Sequence, residues 1–363
     1  MSIGARLRTE SGATYVLGVV RIGLGVLLFV RGLGFLRELA TVGYFGDVFH
    51  MPFLPESMVP TRAVYAALLV AFVLASVLVT AGHHARAALF VASTLGVYFL
   101  LCDRLQFHHN RYALYCYAFL LSFSPCDRSL TITQPDGEKS GPLWAARLAQ
   151  LQCSIIYLAS GGSKLLDPDW RGGRVLFDRF ARYSYMAIDK GVPQGVIEFF
   201  SRAESTSLLA KMAIGTELFL AFGLWHPRTR VFALWLGAWF HIVIEGTSAV
   251  EGFTWLTLLI YALFATHDTR GRKLYFDSSR TLGRLYARLV GGLDWLARYE
   301  IKAWEPDEVG GHHIVIIRRD GSRATGLRAL AMVSRTCPAL FLMWAPLALL
   351  ASFTGGSDSS ERE

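Results

Sequence analysis

Between residues 14 and 266 the chain runs through eight apolar stretches, near 14–36, 62–82, 86–104, 111–125, 143–160, 208–224, 231–247 and 249–266. A bilayer's hydrocarbon core takes about 20 apolar residues of helix, and lipid offers no partner for backbone polar groups outside helices or closed barrels. Runs of this length therefore predict helices that cross a membrane; the fourth is the shortest. Of the 363 residues, 53% are hydrophobic and only 18% charged, with mean hydropathy +0.38, too little charge for a soluble domain of this size. The expected fold is an all-α polytopic membrane bundle of about eight transmembrane helices with a small α/β domain behind it, and the lipid bilayer is its first partner. The net charge of +8 is then read loop by loop under the positive-inside rule, and not as a nucleic-acid surface.

Basic residues orient the bundle. Arg6 and Arg8 precede the first stretch, which predicts a cytoplasmic N-terminus; alternation then puts His83-His84-Ala-Arg86, His226-Pro-Arg228-Thr-Arg230 and Arg270, Arg272, Lys273 inside as well. The loop 161–207 would lie outside, yet carries seven Lys/Arg against six acids. An interfacial helix explains it, with Val175-Leu-Phe177 and Phe180 set among Arg174, Arg179 and Arg182. Arg21 and Arg31 fall inside the first stretch, where a guanidinium is expensive unless it faces protein or water, so both are expected to face the bundle, as snorkelling or helix-bridging side chains rather than as ligand contacts. Five cysteines are scattered without CxxC or metal-ligand spacing; neither a disulfide framework nor a metal site is expected.

The densest chemistry lies in Tyr157-Leu-Ala-Ser-Gly-Gly-Ser-Lys164-Leu-Leu-Asp-Pro-Asp-Trp170-Arg-Gly-Gly-Arg174. The apolar helix from Leu143 to Ser160 covers about 27 Å at roughly 1.5 Å per residue. The small-residue run Ala159–Ser163 lets backbones approach and allows the helix to break. Lys164 then stands at the rim, where one reading is a snorkelling amine beside a tryptophan anchor. With the N-terminus inside, stretches three, five and seven all run outward. His108 and His109, Lys164, and His241 with Glu245 therefore reach the same side of the membrane. His241 and Glu245 are four apart and share a helix face, where the carboxylate either orients the imidazole by holding its proton or pairs with it for packing.

Trp144-Ala-Ala-Arg-Leu-Ala-Gln-Leu-Gln152, Ile155-Ile-Tyr157, Gly162-Ser-Lys164 and Asp169-Trp-Arg-Gly172 resemble the HTTM membrane family, which includes the vitamin K-dependent gamma-glutamyl carboxylases. Trp239-Phe-His241 and Gly252-Phe253 are similar to that family's Phe-His helix and the turn after it. His108-His109-Asn110 stands where carboxylases carry an Asn-Asn-His-type motif. The resemblance implies a membrane enzyme, integral to a plasma (bacterial inner) membrane, acting on a vitamin K-type hydroquinone or other lipophilic quinol, with no metal. Lys164 would be the base, with His241 and His109 beside it as catalytic candidates. Tyr157, His108, Asn110 and Glu245 would wall the cofactor, and Trp170 would anchor the interface. The large extracytoplasmic domain with which vertebrate-type carboxylases grip a peptide has no counterpart here, so peptide carboxylation is not expected to follow automatically. The alternative class is a non-catalytic transporter or scaffold in which the same side chains bind a small or lipidic ligand.

Residues 1–268 thus form the expected transmembrane domain, 269–353 a second domain and 354–363 a disordered tail. In the second, Lys273–Asp277, Ile301–Trp304 and His313–Ile317 read as strands, and Ser279–Leu296 and Gly326–Ser334 as helices. This order resembles the DCC-type thioredoxin-like domains fused to HTTM proteins. Arg280 and Gly283 stand at the CxxC positions, so a membrane thiol oxidoreductase is disfavoured and the module is expected to be structural and cytoplasmic. The run Pro338–Phe353 is either its last helix or a ninth span, the helix being preferred.

Overall fold

A computed structural model describes residues 11–40, 51–104, 107–132, 140–189, 191–247, 252–265, 272–296, 298–304, 314–318 and 321–353. Arg6, Arg8, Glu251, Arg270, Asp320 and the 354–363 tail lie outside the described residues. All eight apolar stretches contain helix: α1 (Tyr15–Ala40), α2 (Arg62–Ala81), α3 (Ala85–Cys102), α4 (His109–Ser122), α5 (Trp144–Leu166), α9 (Ala203–Gly223), α10 (Arg230–Thr247) and α11 (Phe253–Tyr261). Three shorter helices connect α5 to α9: α6 (Pro168–Gly172), α7 (Arg174–Asp189) and α8 (Gln194–Phe200). Among the described residues, four helices are long and apolar enough to cross a membrane, namely α1, α2, α3 and α9.

The chain divides into two compact units, Met1–His226 with Phe240–His267, and Pro227–Trp239 with Asp268–Glu363. In the first, helix faces that look outward are apolar: Val26, Val30 and Leu33 on α1, Val70, Leu74 and Val77 on α2, and Phe90 and Val91 on α3 are all exposed. Faces this apolar over several turns belong in lipid rather than water. Polar side chains turn inward instead. Arg21 is fully buried, and its guanidinium donates to the carbonyls of Cys126 (3.3 Å) and Leu130 (2.6 Å), tying α1 to the turn after α4. Arg31 lies over the Phe35 ring at 4.1 Å and 4.0 Å from Glu38. Strand β1 (Ser11–Ala13) pairs antiparallel with β2 (Ser140–Pro142), which joins the entry of α1 to the entry of α5.

The second unit carries a four-stranded sheet in the order β4-β3-β5-β6, from β3 (Arg272–Asp277), β4 (Tyr299–Trp304), β5 (Ile314–Ile317) and β6 (Arg323–Thr325). Strands β3 and β4 are parallel, as the crossover helix α12 (Thr281–Leu293) requires, and the other two pairs are antiparallel. Leu274, Val290, Tyr299, Ile316, Val333 and Cys337 form its core beneath α13 (Gly326–Thr336). Pro338–Phe353 splits into a 3-10 segment (Pro338–Met343) and α14 (Trp344–Phe353), whose ten residues make about 15 Å of helix, half a bilayer. The whole run lies in the second unit.

Candidate functional site

Helix α5 supplies the frame. Its outward face is Leu148, Leu151, Ile155 and Leu158, each 39–49% exposed, while Gln150, Ser154, Tyr157, Ser160 and Lys164 recur at three- and four-residue spacing on the opposite face. Every member of that stripe has a partner from another helix or its own next turn. Gln150 Nε2 donates to the Leu263 carbonyl (2.8 Å), and Ser154 Oγ accepts from Trp225 Nε1 (2.7 Å). The helix does not take the break that the small residues allow: it runs unbroken from Trp144 to Leu166. The physical reason is α9. A Cβ built on Gly161 would stand 3.1 Å from the Leu218 side chain and 3.2 Å from Glu217 Cβ, so the glycine keeps the two helices close without leaving the helical conformation.

That approach delivers Glu217 to Lys164. The Lys164 amine lies 2.6 and 2.7 Å from the two Glu217 carboxylate oxygens and 2.6 Å from Ser160 Oγ, which itself donates to Glu217 at 3.1 Å. Both side chains are largely enclosed, at 17% exposure for Lys164 and 8% for Glu217. The Trp170 ring covers the amine at 5.1 Å and receives the Arg179 guanidinium at 5.6 Å. Asp167 and Asp169 turn away, as a usable lysine requires: Asp167 caps α6 by accepting from the Asp169 and Trp170 amides, and Asp169 lies 3.9 Å from Arg174. The amine is thus no free snorkelling cation but half of a buried ion pair.

One and two turns earlier on the same face lies the second half of the site. His241, 1% exposed, shares a 2.7 Å hydrogen bond between Nε2 and the Tyr157 hydroxyl, which lies 2.5 Å from the Tyr261 hydroxyl. Phe240 and Phe253 press edge-on against the imidazole, and its backbone carbonyl accepts from Thr254 Oγ1 at 3.0 Å. The Nδ1 atom is buried with no hydrogen-bond partner among the described residues. Glu245 therefore does not hold the imidazole proton, which sets aside the orienting alternative; Tyr157 has taken the bonding nitrogen from across the helix interface. The phenol can donate to only one neighbour, so either tautomer of His241 leaves Nδ1 wanting a partner.

Of the residues singled out from sequence, Lys164, Trp170, Tyr157 and His241 come together. His108, His109, Asn110 and Glu245 stay outside this bonded set. His108 caps α4, its Nδ1 accepting from the Asn110 amide at 3.3 Å; His109 is exposed and edge-on to Phe107 at 5.6 Å. A helix N-terminus needs such a cap, and that local demand fixes His108. Sequence reasoning passed over Glu217 and Tyr261. Glu217 had a signal, being one of two charged residues in an otherwise apolar stretch, 208–224. Tyr261 had none.

Helices with exposed apolar sides and an enclosed lysine, glutamate and histidine define an integral membrane protein with a buried polar cluster. Residues 11–268 match the HTTM domain, and the chain belongs to that family. No curated protein and no solved structure matches it.

Proposed function

We propose that this protein is a carboxylase-like membrane enzyme that binds a lipophilic quinol and takes a proton from it. The observation that carries this reading is the orphaned His241 Nδ1, buried beside Tyr157 on the face of α5 that also bears the Lys164–Glu217 pair. A buried imidazole nitrogen without a partner suits a ligand oxygen, and the aromatic wall of Phe240 and Phe253 suits a flat ring. When bound, such a hydroquinone would supply an acidic hydroxyl and, on oxidation by oxygen, the strong base that a carboxylation needs to remove a carbon-bound proton.

The residues divide the work. His241 offers a hydrogen bond at Nδ1, and Tyr157 and Tyr261 fix its tautomer by passing their hydroxyl protons in one direction or the other. Lys164 cannot act alone as a neutral base while a carboxylate grips it, since an adjacent negative charge favours the ammonium. The pair accepts the proton as a unit: Lys164 passes a proton to Glu217, directly or through the Ser160 hydroxyl, and the neutral amine so formed takes one from the ligand's hydroxyl, leaving an ammonium beside a carboxylic acid. Lys164→Arg should then be as inactive in hydroquinone oxidation as Lys164→Ala, because a guanidinium keeps its proton. The check is oxidation of a naphthohydroquinone by purified protein, with a lipid extract of the same preparation searched for naphthoquinone or ubiquinone. Full activity in Lys164→Arg would sink the proton-transfer role, and an extract devoid of quinone with no oxidation by the unsubstituted protein would sink the enzyme.

We further infer that the C-terminal unit is a thioredoxin-like module of DCC type that has lost its thiols, and that it and the N-terminus are cytoplasmic, as the basic clusters favour. The support is the strand order β4-β3-β5-β6 with the helix-linked pair parallel. At the CxxC positions, Arg280 caps α12 and pairs with Asp277 at 3.0 Å, and Gly283 is buried in the helix. The unit's cysteine, Cys337, is fully buried and its thiol pushed up to about 12 by that burial, so it holds its proton at neutral pH. The full-length protein should show no insulin reduction with dithiothreitol beyond the uncatalysed rate; measurable catalysis would contradict the assignment.

A further inference from the structure

The C-terminal unit encloses a cavity of about 560 Å³ that no thioredoxin-type chemistry explains. Four arginines line it, and no carboxylate does so among the described residues. Two come from the sheet. Strands β3 and β5 run antiparallel with Lys273 opposite Ile317, and Arg272 and Arg318 flank that last paired position. Positive charge gathered at one sheet end favours an anion nearby. The other two come from α13, where Arg328 and Arg335, seven apart, share the face that presents Ala331 and Met332 to the cavity. Arg318, Arg328 and Arg335 are exposed, and the Arg335 guanidinium lies 5.9 Å from the Trp344 ring.

Helix α14 forms the remaining wall and divides its own faces. Trp344, Ala348 and Ser352 look into the cavity, while Leu349, Leu350 and Phe353 beside them are 60%, 54% and 79% exposed. We propose that this cavity binds the phosphate of an anionic phospholipid, with the outer edge of α14 entering the acyl-chain region. Guanidinium forks match phosphate oxygens in pairs. A soluble phosphate ester would satisfy the arginines equally well, but it gives no reason for three large apolar side chains on the adjoining face. Basic residues beside exposed leucine and phenylalanine are what an anionic membrane surface attracts.

The test uses the full-length protein in a neutral detergent, titrated with phosphatidylglycerol, phosphatidylcholine or glycerol 3-phosphate and read by native mass spectrometry. Phosphatidylglycerol should bind at least tenfold more tightly than phosphatidylcholine. Arg328→Gln with Arg335→Gln should abolish that preference without moving the melting temperature, and Leu349→Ser with Phe353→Ser should weaken phosphatidylglycerol tenfold while leaving glycerol 3-phosphate unaffected. Should the double glutamine variant misfold, Arg318→Gln, at the exposed end of its strand, carries the same comparison. Equal binding of the two lipids, or a preference that survives the glutamine variants, would overturn the site. Glycerol 3-phosphate binding as tightly as phosphatidylglycerol would assign the cavity to a soluble phosphate and overturn the lipid.

Discussion

Glu217→Leu should lower the melting temperature of the detergent-purified protein sharply, and adding Lys164→Met to it should recover most of the loss. The single change leaves an ammonium that is 17% exposed with only Ser160 Oγ and the Trp170 face for company. Stranding one charge of a buried pair costs about 3–5 kcal/mol, whereas replacing both by apolar groups of similar volume is often close to neutral. Lys164→Met alone strands the carboxylate and should fall in the same range. The coupling between the two sites, read from the four melting curves, should therefore be large and opposite in sign to the sum of the single losses. A double variant whose loss equals the sum of the two single losses would mean that the two charges do not interact. The double variant also separates two roles that are otherwise confounded: it should be folded and unable to oxidise hydroquinone.

The positions of the eight helical segments were legible because run length and apolar composition are local properties, and a bilayer filters on both. Which of those helices carry the site was also encoded, though indirectly. The four that meet the length and hydropathy of a full crossing are α1, α2, α3 and α9, whereas Lys164, Tyr157, His241 and Tyr261 lie on α5, α10 and α11. Polar side chains placed inside a bundle depress the very signal by which a span is recognised. The capping role of Asp167 was readable because a Pro-Asp after an aspartate is a local helix-start pattern. The unbroken course of α5 was not. Two adjacent glycines each cost about 1 kcal/mol in a helix, and only the close passage of Leu218 and Glu217 over Gly161 offsets this. Partner choice across helices was equally hidden. Spacing put Glu245 on the same face as His241, but the hydroxyl that reached the imidazole came from Tyr157, 84 residues away in the chain.

Arg21→Leu should be the other severe loss, of about 3–5 kcal/mol, and its character should differ. Both carbonyls that Arg21 holds lie in the turn after α4, and hydrogen bonds from a charged donor are worth about 1.5–3 kcal/mol each. Leu130, one of the two, takes a left-handed backbone at φ 56°, uncommon for a residue with a Cβ, so the turn keeps its shape only while something holds it. Lysine cannot replace the arginine, because one ammonium does not fork between carbonyls four residues apart. Gly82 belongs to the same device: its φ is 80°, and a Cβ there would run into the Arg21 guanidinium, so Gly82→Ala should be destabilising on both counts. The measurement is thermal unfolding together with limited proteolysis of the 123–131 turn, which should become the first cleavage site in Arg21→Leu. A loss below about 1 kcal/mol would show that lipid or water replaces the guanidinium. Hydroquinone oxidation per folded molecule should stay unchanged, because Arg21 bonds only main-chain carbonyls, whereas Lys164 bonds a carboxylate and a hydroxyl with which a proton can be exchanged.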